Sequence, residues 1–188
     1  LARPHGEDVL ISCLSGKRSG SAACDRRTAF AVIGWTKSDS PGRPFASLLL
    51  ASPEAVQMLG DADGLRPRER EEILKRMRAA ASRRDEADAA VASIRAIRRA
   101  EIFRVAVADL QGRINLEQVG DALTDISEAV IQASLEVVVR AVEADRGAPL
   151  GTDLLIVGMG RLGGSEMGYS SDADVLYVHE PHEGTDDQ

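Results

Sequence analysis

Between Ser52 and Asp145 the apolar positions recur every three or four residues, and after Asp153 they gather into short unbroken runs. The first pattern is that of helices with one buried face, the second that of buried strands. Ser52-Pro53-Glu54 opens a short helix to about Leu59, since serine caps and proline suits the first helical position; Gly60 to Gly64 then break it. Pro67 begins a second helix reaching about Arg83. A third runs from about Glu86 to Leu110, with Val91, Ile94, Ile97, Ile102, Val105 and Val107 on its apolar side and Gly112 as its stop. Asn115 with Gln118 three residues on forms a capping box. The helix it starts extends to about Asp145. Its stripe is Val119, Ala122, Leu123, Ile126, Ala129, Val130, Ala133, Val137 and Ala141, opposite Asp121, Asp125, Glu128, Gln132 and Glu136. Gly147 and Pro149 close it. The stripes read as core and the charges as solvated faces.

Asp153 to Val157 is a strand candidate, followed by the glycine-rich turn Gly158 to Gly164. A second strand candidate is Asp172 to His179, with loop from Pro181 to Gln188. The class is therefore α+β, a helical part followed by the first strands of a sheet. Residues 1–46 differ from the rest. They hold both cysteines, the only Trp, many Gly, Ser and Arg, and one strand candidate, Phe30 to Trp35. They are expected to be a poorly ordered or non-native leader. This divides the chain into 1–46, a helical region 47–150, and a strand-bearing region 151–188.

A chain of 188 residues makes one domain or two small ones. The formal charge of −7 disfavours a general nucleic-acid binder, which would be basic. With 44% hydrophobic residues a packed core is available, and 3% aromatics means it is built from Ala, Val, Leu and Ile. No apolar run approaches the roughly 18 residues of a membrane span. Two cysteines, Cys13 and Cys24, make no disulfide framework, so a reduced, cytoplasmic setting is expected.

Two signals for chemistry overlap between Gly158 and Glu180. Gly158, Gly160 and Gly163 match G-x-G-x-x-G after a strand, with Glu180 about 20 residues on, the fingerprint of a dinucleotide-binding oxidoreductase. Spacing opposes it. A parallel crossover takes about a dozen residues or more, and only the eight from Gly164 to Ser171 separate the turn from Asp172. The second signal is Asp172-Ala173-Asp174. At i and i+2 of a strand the two carboxylates share a face, and two such charges together call for a cation. Hard oxygens of this kind suit Mg²⁺, which combines one or two carboxylates with substrate phosphates. Gly163-Gly164-Ser165 offers the other half. Its glycines admit a triphosphate closely, a short helix beginning near Ser165 would present free N–H groups, and Ser165 adds a hydroxyl. Together these point to a metal-dependent nucleotidyltransferase site. The histidines His5, His179 and His182 lack metal-ligand spacing. A third reading is a non-catalytic helical interaction module.

The run Val157 to Val178, with its glycine turn, Tyr169-Ser170-Ser171 and Asp172-Ala173-Asp174, resembles the signature of glutamine synthetase adenylyltransferases, in the DNA polymerase beta-like nucleotidyltransferase superfamily. Leu65 to Arg68, Ala96 to Glu101 and Val119 to Asp125 are similar to the same family, so the resemblance covers about 47–188. The bias of 20 Arg to 3 Lys and the Asp-Ala-Asp-Val wording resemble its actinobacterial branch. The resemblance implies a mixed catalytic sheet, ATP as substrate and two Mg²⁺ held by Asp172 and Asp174. Gly163, Gly164, Ser165 and Ser171 would face the nucleotide. A tyrosine hydroxyl of glutamine synthetase would attack the α-phosphorus and displace pyrophosphate. Full-length members also remove AMP by phosphorolysis in a second half, and the wording here is nearer the adding half. A PII-type nitrogen-signal protein is a further partner that the resemblance admits. The family's third carboxylate normally lies on a later strand, and none follows before Gln188. The chain is therefore expected to be a truncated piece with little or no transferase activity alone.

Overall fold

The computed structural model describes residues 63–182. The leader 1–46 with its candidate strand, the helix expected from Ser52 to Leu59, and the loop after His182 lie outside the described residues. A 3-10 turn at Asp63–Leu65 precedes three helices: α1 (Arg70–Ala81), α2 (Ala87–Leu110) and α3 (Leu116–Arg146). Then come strand β1 (Thr152–Gly158), the single turn α4 (Gly160–Gly163) and strand β2 (Val175–Pro181). The α+β class holds.

The ends of α2 and α3 lie where local chemistry puts them. Asn115 and Gln118 bond reciprocally, side chain to backbone N–H, at 2.9 Å each. Gly112 and Gly147 end α2 and α3 in the left-handed region, at φ +64° and +67°. The start of α1 differs from expectation. Pro67 does not begin it; the chain stays extended through Glu69 (ψ 154°), and Glu69 gives no side-chain cap. The Arg68 guanidinium is drawn instead to Glu101, at 2.6 Å. The Arg70 backbone N–H at the head of α1 is taken by the carboxylate of Asp125 on α3.

The described residues divide into two compact units, 63–68 with Arg98–Val119, and Glu69–Ile97 with 120–182. In the first, Leu65, Phe103, Val105 and Val107 are buried. Here α2 is enclosed almost all round from Glu101 to Ala108, including two charged residues. That corrects the reading of its charges as a solvated face. Glu101 is 1% exposed and accepts from both Arg68 and Arg104, the latter at 2.9 Å. A buried charge survives only when paired in this way, and pairing leaves no periodic trace in a sequence.

In the second unit α1 buries Ile73, Leu74, Met77 and Ala81. Arg70 reaches Gln132 (2.7 Å) and Glu128 (3.0 Å) of α3, and Arg78 grips Glu136 with both ends of its guanidinium. The partners ascend together along both helices, so α1 and α3 run parallel. The stripe expected on α3 is buried here at Ala122, Leu123, Ile126, Ala129, Ala133 and Val137, and Val119 is buried in the first unit.

The two strands pair antiparallel, from Thr152 opposite Pro181 to Gly158 opposite Val175. Among the described residues they form a two-stranded sheet. This pairing rules out the strand-helix-strand unit that a dinucleotide fingerprint at Gly158, Gly160 and Gly163 requires. Both faces of the hairpin carry exposed apolar side chains, Leu155, Leu176 and Val178 on one and Leu154 and Tyr177 on the other.

Candidate functional site

The connection between the strands carries every residue singled out for a nucleotidyltransferase site. It starts with a tight fold-back. A methyl group on Gly163 would lie 2.5 Å from the carbonyl oxygen of Gly158, so only glycine lets α4 lie against the end of β1. Leu162 and Met167 are buried and anchor the segment on either side of the glycine pair.

The helix expected to begin near Ser165 is not there. The helical turn precedes it, at α4, and Ser165 follows in the left-handed region at φ +57°. The N–H groups expected to be free are used. Gly163 donates to Met159 O (3.0 Å), Gly164 to Gly160 O (3.0 Å), Ser165 to Leu162 O (3.3 Å) and Glu166 to Arg161 O (2.8 Å). The glycine run thus closes on itself, because one helical turn satisfies its own amides before the chain bends away. Gly163, Gly164 and Ser165 are exposed. The Ser165 hydroxyl makes no hydrogen bond among the described residues.

Ser171 is half-buried and holds the second bend. Its Oγ accepts from the Gly168 N–H (2.9 Å), and its own N–H donates to Gly168 O (3.1 Å). Asp172 and Asp174 do not belong to a strand as expected, since β2 begins one residue later at Val175. The alternation that would put them on one face therefore does not apply. Asp174 is fixed by other means. Its carbonyl accepts the Met159 N–H at 2.8 Å, which closes the connection at its base. Its Oδ2 lies 3.2 Å from where a Cβ on Gly160 would be, and Gly160 has φ +52°. The pleat is replaced by a seat over a glycine. Both carboxylates are exposed, and neither has a hydrogen bond or ion pair among the described residues.

One residue was missed. Arg161, on α4, is exposed and points its guanidinium at the Ser171 hydroxyl, 3.5 Å away. It places a cation at the bend formed by Gly168 and Ser171, where a Cβ on Gly168 would lie 3.8 Å from its Nη1. The available signal was a lone arginine inside a glycine run that already looked like a phosphate turn.

The donor set can be tested against Mg²⁺. Asp172 and Asp174 supply hard oxygens, and no group of three or more His, Cys, Asp and Glu suited to a metal occurs among the described residues. Two carboxylates fit an ion that completes its shell with phosphate oxygens and water.

A family model described as glutamate-ammonia ligase adenylyltransferase matches residues 41–188. The chain belongs to that family. The match takes in the three helices, the hairpin and the whole connection between the strands. The bifunctional glutamine synthetase adenylyltransferase/adenylyl-removing enzyme of Streptomyces coelicolor is 44% identical over 160 residues, 77% of this chain and 16% of that protein. The proteins of the same name from Nocardia farcinica and Corynebacterium diphtheriae are 44% and 40% identical over 146 and 151 residues. Those alignments cover 74% and 76% of this chain and 14% of each relative. The chain thus spans about a sixth of the length of these relatives, all of them actinobacterial as the sequence wording implied. No helix among the described residues is long and apolar enough to cross a membrane.

Proposed function

We propose that the connection between β1 and β2 is the Mg·ATP site of an enzyme that transfers AMP to a tyrosine of glutamine synthetase. The observation that carries this is a pair of exposed, unpartnered carboxylates, that of Asp174 seated over Gly160, inside a segment belonging to an adenylyltransferase family. Asp172 and Asp174 hold the metal. Bound there, Mg²⁺ would offset the negative charge that builds on the attacking and leaving oxygens. Arg161 and the Ser165 hydroxyl bind phosphate oxygens, one by charge and one by a hydrogen bond. Ser171 acts within the protein, tying the bend that carries Asp172. The order of glycine turn, aspartate pair and strand supports reading these groups as part of a polymerase beta-like nucleotidyltransferase scaffold, with the hairpin in its sheet. ATP and glutamine synthetase as substrates fit a cytoplasmic enzyme.

The test is titration of Mg·ATP into the chain, wild type beside Asp172→Asn and Asp174→Asn. Saturable binding that needs Mg²⁺ and is lost in both variants is expected. Nucleotide binding that ignores both substitutions, or none by a folded wild type, overturns the reading. AMP incorporation into purified glutamine synthetase from α-labelled ATP then identifies the acceptor residue.

A further inference from the structure

The site's strained residue rests on a helix that carries none of its chemistry. Where residues 165–167 pass α3 they meet Gly120, and the approach is backbone to backbone. A methyl group on Gly120 would lie 3.1 Å from Ser165 O, 3.6 Å from Glu166 Cα and 3.8 Å from Met167 O. Gly120 is buried, one turn into a 31-residue helix, where glycine is a poor choice by propensity. Its own carbonyl is held by the buried Thr124 hydroxyl at 2.8 Å, so the helix at this point is fixed. Ser165, in the left-handed region, is the one described non-glycine residue with positive φ. Such a conformation lasts only where its surroundings leave no alternative. Three surroundings are visible: the bond from Ser165 N–H to Leu162 O, at 3.3 Å, that from Glu166 N–H to Arg161 O, at 2.8 Å, and the floor at Gly120.

We infer that Gly120 is a positioning residue for the nucleotide site, setting the height of the Ser165 backbone and so the place of its hydroxyl. The inference rests on the reading of this connection as the Mg·ATP site. Alanine at 120 favours the helix but forces the Ser165 carbonyl to give by a few tenths of an ångström. Helix stability and site geometry therefore move in opposite directions, which a purely structural role would not produce.

The experiment uses the full chain, comparing wild type and Gly120→Ala by Mg·ATP titration, amide hydrogen exchange and urea unfolding. Expected are a dissociation constant raised about five-fold or more, since small displacements at a site are costly, faster exchange at residues 165–167, and an unfolding midpoint that does not fall. Unchanged affinity together with unchanged exchange overturns the inference. If wild type binds no Mg·ATP, the site assignment fails, and the exchange at 165–167 still decides whether Gly120 positions the loop. If Gly120→Ala lowers the midpoint, the double variant Gly120→Ala/Ser165→Gly decides. A glycine at 165 lets the chain bend away, so recovery of midpoint and exchange pattern supports the inference, and no recovery refutes it.

Discussion

Replacing Glu101 by glutamine should destabilise the protein far more than a single proton's worth of charge suggests. The carboxylate is 1% exposed and sits between two guanidinium groups, Arg68 at 2.6 Å and Arg104 at 2.9 Å. The Arg104 side chain is only 4% exposed, whereas Arg68 is 20% exposed and has access to water. At an effective dielectric near 20, each attraction is worth about 4 kcal/mol at a 4 Å charge separation. Desolvation of the ions cancels most of that, so the intact triad contributes little net stability. Breaking it is different. Glutamine keeps the volume and one acceptor but turns an amide NH₂ toward the second guanidinium, so the Glu101 charge that balances buried Arg104 is lost. Loss of a buried partner costs about 3–5 kcal/mol; with one acceptor kept, about 3 kcal/mol is expected for Glu101→Gln. With a urea slope of about 1–3 kcal/mol per M, the midpoint falls by about 1 M or more. Circular dichroism against urea measures it. The same argument requires Glu101→Leu/Arg104→Met to cost less than Glu101→Gln, because both buried charges are gone and Arg68 can turn to solvent. A Glu101→Gln midpoint within error of wild type, or a double variant worse than the single one, refutes the reasoning.

Two other predictions concern the second unit. Gly163→Ala places a methyl group against the Gly158 carbonyl and should lower the unfolding free energy by about 1–3 kcal/mol, as overpacking does, read from the urea midpoint. Burial holds the Asp125 carboxyl above its ordinary value of 3.8, against the Arg70 N–H that lowers it and with Glu128, Glu71 and Asp121 adding to the rise. Its ionised form therefore costs stability at neutral pH, a cost relieved as pH falls through the raised folded value. Asp125→Asn should raise the midpoint at pH 7 and lose that advantage in acid. Glu136 runs the other way: the Arg78 guanidinium holds it below 4.5, so its contribution is present above that value and lost as pH falls through the lowered one.

What the sequence disclosed followed the range of the interactions involved. Asn115 with Gln118, and Gly112 and Gly147, act within a few residues of where they stand, and the helix ends they predict are the ends observed. Before α1, Arg68 pairs with Glu101, 33 residues away, a contact that Pro67 and its neighbours do not announce. Burial of Glu101 and Arg104 was invisible for the same reason. Short spacing between the strands excluded a crossover, and the antiparallel hairpin agrees. The aspartate pair is legible as a pair, but its geometry is not, because both residues precede β2 and strand alternation does not reach them. Gly120 had no local signal, since a glycine in a helix says nothing about which distant segment passes over it.

The glycine run shows how a motif can be recognised with its physics misassigned. Its glycines are expected to admit phosphate closely, with free N–H groups from a short helix beginning near Ser165. Instead the amides of Gly163, Gly164, Ser165 and Glu166 all bond to carbonyls of residues 159–162. Gly163 is glycine because Gly158 O lies where its side chain would be, and Gly160 makes room for the Asp174 carboxylate. In this arrangement glycine lets the backbone pack on itself, and packing pushes side chains outward: Arg161, Ser165, Asp172 and Asp174 are all exposed around the turn. On the proposed reading, nucleotide recognition here rests on side-chain charge, one guanidinium and two carboxylates with their ion. It should weaken steeply with added salt, as attraction between exposed charges is screened, whereas a cradle of fixed backbone amides would hold its ligand with far less dependence on ionic strength.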